Sequence, residues 1–201
     1  MTFVQKFHLK LPAFALITVL CLICSACSNF ILVSSGNGLV DTQHGKRTLG
    51  SRIEDQSIET KTLINIKNSV SNSTFNKSRI VVVSFNGYVL LSGQTQSTEL
   101  KRKAGDVAKE IRHVERVYNE IEISRPISAF KQLNDSWITS KVKTSLFLNK
   151  NFPSSHTKII SENGTVFLMG LLTESESNRA IKIIKKNSGV QKIVRIVEYI
   201  D

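Results

Sequence analysis

The amino-acid sequence predicts an α+β fold made of two tandem copies of an αββαβ unit, each a small three-stranded mixed sheet packed against two helices. The stretches SFNGYVLLSGQTQSTE (residues 84–99) and SENGTVFLMGLLTESE (residues 161–176) agree at seven of sixteen positions. In each copy, short β-branched runs are followed by segments with helical periodicity. So small a sheet has to bury one face against its helices.

A β-hairpin lies at the centre of each unit. Residues 78–85 read SRIVVVSF, the dipeptide Asn86-Gly87 follows, and residues 88–94 return as YVLLSGQ. Asn-Gly best accommodates the positive φ angles of a two-residue hairpin turn. Alternation places the same positions on one face in both copies, namely Val89, Leu91 and Gly93 in the first and Val166, Leu168 and Gly170 in the second.

A helix and a closing strand follow each hairpin. Apolar residues at helical spacing form one stripe, which comprises Leu100, Ala104, Val107, Ala108 and Ile111 in the first copy and Ala180, Ile181 and Ile184 in the second. Thr173 and Glu176 have the spacing of a capping box, and Gly189 follows the end of the second helix. The closing strands are predicted at residues 114–123 and 190–200.

A further helix precedes each hairpin, at about residues 55–69 and 135–148. Asp135 is the predicted N-cap of the second of these helices. Four apolar residues lie near one of its faces: Trp137, Ile138, Val142 and Leu146.

The N-terminus has the features of an exported lipoprotein. Lys6 and Lys10 precede an uncharged apolar run at residues 11–24, which is shorter than a comfortable membrane span. The run ends in CSAC, which resembles a lipobox with cleavage before Cys27. All three cysteines lie within residues 1–27, so the cleaved chain would keep Cys27 alone. A plain signal peptide or an uncleaved anchor is the alternative.

The positive net charge of the chain indicates which class of molecule it binds. The chain carries a formal charge of +11, and export makes nucleic acid an unsuitable polyanion, which leaves anionic phospholipid as the leading candidate. The residue after Cys27 is Ser28, whereas aspartate at that position commonly retains bacterial lipoproteins in the inner membrane. The expected destination is therefore the outer membrane.

The predicted organisation is a signal peptide (1–26), a flexible tether (27–49), a first unit (50–124), a linker (125–132) and a second unit (133–201).

These features resemble the BON domain, named for bacterial outer-membrane and osmotically induced proteins. The resemblance rests on the order of elements, the Asn-Gly-x-Val hairpin, the glycine near the end of its second strand, and the stretches VYNEIEI, NDSWITSKVKTSL and ENGTVFLMGLLTE. It covers roughly residues 43–201. It implies a non-enzymatic lipoprotein at the inner leaflet of the outer membrane, facing the periplasm, that binds anionic phospholipid, supports envelope integrity and concentrates at the division site.

The same resemblance assigns lipid contact to the first helix of the second domain. Residues 136–161 agree with this, because they hold four lysines and no acidic residue, and residues 133–201 carry ten basic and six acidic side chains. The expected ligand is phosphatidylglycerol or cardiolipin. The candidate lipid-binding residues are Trp137, Ile138, Lys141, Lys143, Phe147, Leu148 and Lys150, and the lipidation site is Cys27.

Other interpretations of these residues stay open. Trp137, near the position of Ile58 in the first copy, is equally compatible with a place in the core or between the domains, and Val142 and Leu146 are better explained as core. A protein-interaction adaptor for septal cell-wall hydrolases or outer-membrane protein assembly is the alternative function. No catalytic, metal-ligand or cofactor-binding pattern is found in the sequence, so no enzyme activity, metal or cofactor is expected.

Overall fold

Two copies of the αββαβ unit follow each other in the computed structural model, which describes residues 48–150 and 152–200. The first domain contains α1 (Leu49–Asn68), the short helix α2 (Asn72–Asn76), β1 (Arg79–Phe85), β2 (Tyr88–Thr95), α3 (Thr98–Lys109), β3 (Arg116–Asn119) and β4 (Glu122–Ile123). The second contains α4 (Ala129–Phe147), a 3-10 turn (Ser154–His156), β5 (Thr157–Glu162), β6 (Thr165–Leu172), α5 (Glu174–Ile184) and β7 (Lys192–Tyr199). The predicted signal peptide and Cys27 lie outside the described residues.

The two sheets have the predicted mixed topology. In each domain the hairpin strands pair antiparallel and the closing strand adds in parallel to the second hairpin strand. The turn residues of both hairpins, Asn86, Gly87, Asn163 and Gly164, all have positive φ angles, as an Asn-Gly turn requires. The closing strand of the first domain differs from prediction, because β3 and β4 both pair with β2 but are separated by a short break.

Each domain has its own core between its sheet and its two long helices. In the first domain Val89 and Leu91 of β2 meet the predicted stripe of α3. In the second, Val166 and Leu168 of β6 meet Ala180 and Ile184 of α5. The capping box of Thr173 and Glu176 is present at the start of α5. The predicted inward faces are therefore confirmed in both copies.

The first helix of each domain begins earlier than predicted. The N-caps are Thr48 for α1 and Ser128 for α4, so α4 starts inside the segment expected to be a linker. Asp135 is not an N-cap. It lies in the middle of α4, where its carboxylate accepts hydrogen bonds from the backbone N–H of Asn163 (2.8 Å) and Gly164 (2.9 Å).

Asp55 makes the equivalent contact in the first domain. Its carboxylate accepts from the backbone N–H of Asn86 (3.0 Å) and of Gly87 (3.2 Å). A buried carboxylate is tolerated when such donors replace the lost water, and this one fixes the hairpin turn against the helix. Asp55 and Asp135 therefore define the correspondence between the two first helices, and Ile58 corresponds to Ile138 rather than to Trp137.

The outer faces of the two sheets pack against each other. Their interface is a third apolar cluster of Val83, Phe85, Leu90, Phe167, Met169 and Ile196. At its margins Glu162 accepts from Gln94 (2.9 Å) and pairs with Arg79, and the Nζ of Lys158 donates to Glu59 (2.7 Å). Since both carboxylates are matched by donors from the other domain, the interface specifies one arrangement of the two sheets.

Candidate functional site

The outward face of α4 carries three large apolar side chains. Phe130, Leu133 and Trp137 are 80%, 69% and 63% exposed. Their spacing of i, i+3 and i+7 places them within about 60° of each other around the helix. This α4 stripe faces away from Ile138, Val142 and Leu146, which are buried in the core of the second domain. A stripe of this kind on a helix with a buried opposite face is an exposed apolar patch, which typically marks an interaction site.

The apolar surface continues at the C-terminal end of α4. Phe147 is 74% exposed and Leu148, the C-cap, is 71% exposed. Phe147 borders an open groove of about 370 Å³ between α4 and the start of β5, which is also lined by Lys143, Thr144, Leu146, Ser154, Thr157 and Ile159. The groove combines an apolar floor with one cationic and several hydroxyl groups at its rim.

The surroundings of the α4 stripe are strongly cationic. Residues 124–161 contain six basic side chains and a single acid, Asp135, which is buried and bound to the hairpin turn. Lys131, Lys143 and Lys150 are exposed. The segment thus presents positive charge beside exposed aromatic groups, with no exposed carboxylate of its own.

Two of the lysines in this segment have structural partners. The Nζ of Lys141 donates to the backbone oxygen (2.7 Å) and the hydroxyl (2.9 Å) of Ser188, which ties α4 to the loop after α5. Lys158 contacts Glu59 of the first domain. Lys158 therefore serves the interface between the domains, although it belongs to the basic segment of the sequence.

The prediction that Ile138 contacts lipid is wrong. Ile138 is completely buried among the core side chains of the second domain, so it cannot reach a lipid from this fold. Trp137, one position earlier on the helix and therefore about 100° away, is exposed. The prediction of Val142 and Leu146 as core residues is confirmed.

Sequence reasoning missed Phe130 and Leu133. Both lie in the predicted linker or at the predicted edge of the second domain, because Asp135 has the character of an N-cap and suggests a later start for the helix. The signal was present in the sequence: Ser128 is a good N-cap, and apolar residues follow at helical spacing. Extending the helix back to Ser128 would have revealed the stripe.

The first domain lacks the aromatic part of this surface. Its helix α1 has exposed Leu49 and Ile53, and Ile53 occupies the position of Leu133. The positions of Phe130 and Trp137 are held by Gly50 and Ser57. The aromatic stripe is therefore a feature of the second domain.

Neither a metal site nor a membrane-spanning helix is found in the part of the chain that the structure describes. In residues 48–150 and 152–200 no group of His, Cys, Asp and Glu side chains is arranged to hold a metal ion. None of the helices described there is long and apolar enough to cross a membrane.

The fold belongs to a known family of domains. The model of the BON domain matches residues 55–125 and 134–200. The chain therefore belongs to the BON-domain family and carries two copies of the domain, which confirms the predicted α+β fold and tandem organisation.

Three relatives show which BON proteins the chain is similar to. Outer membrane lipoprotein DolP of Haemophilus influenzae is 39% identical over 157 residues, which are 77% of this chain and 79% of that protein. The 21 kDa hemolysin of Actinobacillus pleuropneumoniae is 30% identical over 154 residues, 77% of this chain and 78% of that protein. Osmotically-inducible protein Y of Escherichia coli is 27% identical over 157 residues, 77% of this chain and 76% of that protein. The chain is a DolP-like protein with two BON domains.

Proposed function

We propose that the protein is a non-enzymatic outer-membrane lipoprotein whose second BON domain binds anionic phospholipid through the α4 stripe. The observation that carries this proposal is the stripe itself, in which Phe130, Leu133 and Trp137 are 80%, 69% and 63% exposed on one face of a helix. A water-soluble domain gains nothing by exposing three such groups together, whereas a domain held beside a bilayer can insert them.

The chemistry of the stripe fits the bilayer interface. Trp and Phe supply large apolar areas, and the indole N–H of Trp137 can remain hydrated at the head-group level. Lys131, Lys143 and Lys150 are exposed along the same helix and just beyond it. Each lysine near an anionic surface contributes about 1 kcal/mol at low salt. Apolar insertion and charge attraction therefore act together, and the second of these gives the preference for phosphatidylglycerol or cardiolipin.

The proposed anchor holds this surface where it can act. Cys27 is the proposed lipidation site, and its acyl chains would supply ~0.8 kcal/mol for every buried CH₂ group. The proposed site of attachment is the inner leaflet of the outer membrane, with both BON domains in the periplasm. The name of the DolP relative, an outer membrane lipoprotein, supports the location. A role in outer-membrane integrity, with enrichment at the division site, follows as part of the same proposal.

The proposal is tested with residues 28–201 produced without lipid. Binding to vesicles of phosphatidylglycerol is compared with binding to vesicles of phosphatidylcholine. The test variant is Leu133→Ala, and the matched control is Ile53→Ala, which removes a similarly exposed side chain from the equivalent position of the first domain. Fully burying a leucine side chain is worth about 1.5–3 kcal/mol, so partial insertion predicts roughly tenfold weaker binding for Leu133→Ala.

The expected pattern is selective binding to anionic vesicles that is weakened by Leu133→Ala and unchanged by Ile53→Ala. Absence of binding by the folded wild-type domains would contradict the proposal and leave the anchor as the sole attachment to the membrane. Equal weakening by both variants would contradict the assignment to the second domain.

A further inference from the structure

The strand β7 leaves one edge of the second sheet open. It pairs with β6 over its whole length, from the pair Thr165 and Lys192 to the pair Leu172 and Tyr199. Within residues 48–150 and 152–200, no strand pairs with its other side. An edge strand of this length offers a row of backbone N–H and C=O groups to an incoming chain.

A groove lies beside this edge, between α5 and β7. It has a volume of about 280 Å³ and is lined by Ile181, Lys185, Val190, Gln191, Ile193 and Arg195. The three apolar side chains are partly buried against the core of the second domain and form the floor. Lys185 and Arg195 are exposed at the rim, and Arg195 reaches across to α5, where its Nη1 donates to the side-chain oxygen of Asn178 (3.0 Å).

The charged side chains that line this groove have a single sign. The lining contains Lys185 and Arg195 and no acidic residue. Glu198 lies further along β7, and Glu120 of the first domain lies 4.0 Å from Lys192 at the start of the strand. The charge of the groove therefore favours an acidic ligand.

This surface differs in kind from the α4 stripe. Its apolar side chains Ile181, Val190 and Ile193 are recessed, and none of them is among the exposed large apolar residues of the described chain. Tyr199 at the end of β7 is exposed, but the groove itself has no protruding apolar group to insert into a bilayer. What it offers is backbone hydrogen bonding along a strand, shallow apolar sites and a cationic rim, which are the components of strand addition.

We propose that the β7 edge and the α5–β7 groove bind an extended acidic segment of a partner protein, which adds as a further strand beside β7. Because side chains alternate along a strand, the set that faces α5 would meet both the apolar floor at Ile181 and Ile193 and the cations Lys185 and Arg195, so this one set has to combine apolar and acidic side chains. This interaction does not depend on lipid binding by α4.

The first domain lacks the equivalent site. Its closing strand β3 is short and is interrupted before β4. Acidic residues flank it at Glu115, Glu120 and Glu122. This short, interrupted edge has three acidic residues and one basic residue, Arg116, within positions 114–123, which disfavours an acidic ligand, so peptide binding is assigned to the second domain only.

The probe is a blocked octapeptide in which glutamate and valine take turns at every second position, so that both lie on one face of the strand, with threonine at the positions between them. The full chain in a neutral detergent is titrated with the labelled peptide, and amide hydrogen exchange of β7 is followed at the same time. The test variant is Lys185→Glu with Arg195→Glu. The matched control is Lys182→Glu with Lys186→Glu, which makes the same change in net charge at exposed positions on and just after α5.

The expected result is slower exchange of β7 amides with the peptide bound, at least tenfold weaker binding by the test variant and less than threefold weaker binding by the control. Failure of the wild-type chain to bind the peptide would overturn the proposal. Equal weakening by both variants, or equal binding of a peptide methylated at its backbone nitrogens, would also overturn it, because charge alone would then explain the binding. Protection of β7 by phosphatidylglycerol vesicles without peptide would reassign the face to lipid.

Discussion

Replacing Trp137 by alanine removes the largest side chain of the α4 stripe and leaves the core untouched. The side chain is 63% exposed. An enclosed aromatic side chain buries about 150–250 Å², so roughly 150 Å² of Trp137 is available to a membrane. At about 25 cal/mol per Å², full insertion would be worth about 4 kcal/mol. Burial of half this area at the interface gives about 2 kcal/mol, which corresponds to roughly 30-fold weaker binding.

The assay is sedimentation with phosphatidylglycerol vesicles, using residues 28–201 without lipid. Because an exposed substitution changes stability by about 0.5 kcal/mol or less, the urea midpoint of Trp137→Ala should match that of the wild type. Trp137→Phe serves as a second variant that keeps an aromatic group at this position. It should retain most of the binding.

Two results would refute this reasoning. Unchanged vesicle binding by Trp137→Ala would show that the exposed aromatic group does not enter the membrane. A loss of several kcal/mol in the free energy of unfolding would show that Trp137 packs against the protein and is not exposed as described.

Three further perturbations test the corrected positions and one titrating group. Ile138→Ala should lower the free energy of unfolding by about 2–5 kcal/mol in urea titrations, since it empties a filled core site. Asp135→Ala should cost about 3 kcal/mol in the same assay, because the N–H groups of Asn163 and Gly164 lose a charged acceptor. Burial, with Glu198 nearby, raises the pKa of Tyr88. The folded state therefore holds this proton more tightly, and stability should fall as the pH rises above about 10, a fall that Tyr88→Phe should reduce.

Much of the fold is predictable because its signals are local. The Asn-Gly turns, the alternation of Val89 and Leu91, and the capping box of Thr173 and Glu176 each depend on residues within one hairpin or one helical turn. The repeat then extends the argument from the clearer copy to the other. These elements are confirmed by the structure.

The starts of the first helices were missed because their cue was ambiguous. Asp135 belongs to the residue types that favour N-caps, but its hydrogen-bond partners, Asn163 and Gly164, are in the turn of the following hairpin, beyond the end of α4. A contact of that separation has no local sequence pattern. Because the predicted helix began too late, Phe130 and Leu133 were not recognised as part of its exposed face.

The distinction between Trp137 and Ile138 depends on the same geometry. Adjacent helical positions differ by about 100°, so an error of one position exchanges a core residue for a surface residue. Its apparent alignment near Ile58 of the first copy favoured Trp137 as a core candidate, whereas the buried face is set by Asp135 and the residues that follow it at helical spacing. The pairing of Lys158 with Glu59 joins two domains and was likewise invisible in the sequence.

The most direct test of membrane binding by α4 uses the intrinsic fluorescence of Trp137. It is the single tryptophan of the chain, so its emission reports on the α4 stripe alone. On addition of phosphatidylglycerol vesicles to residues 28–201, we expect a blue shift of the emission and quenching by brominated acyl chains, with neither effect from phosphatidylcholine. An emission that stays at its water-exposed wavelength while the protein sediments with the vesicles would contradict the proposal, because another surface would then hold the membrane.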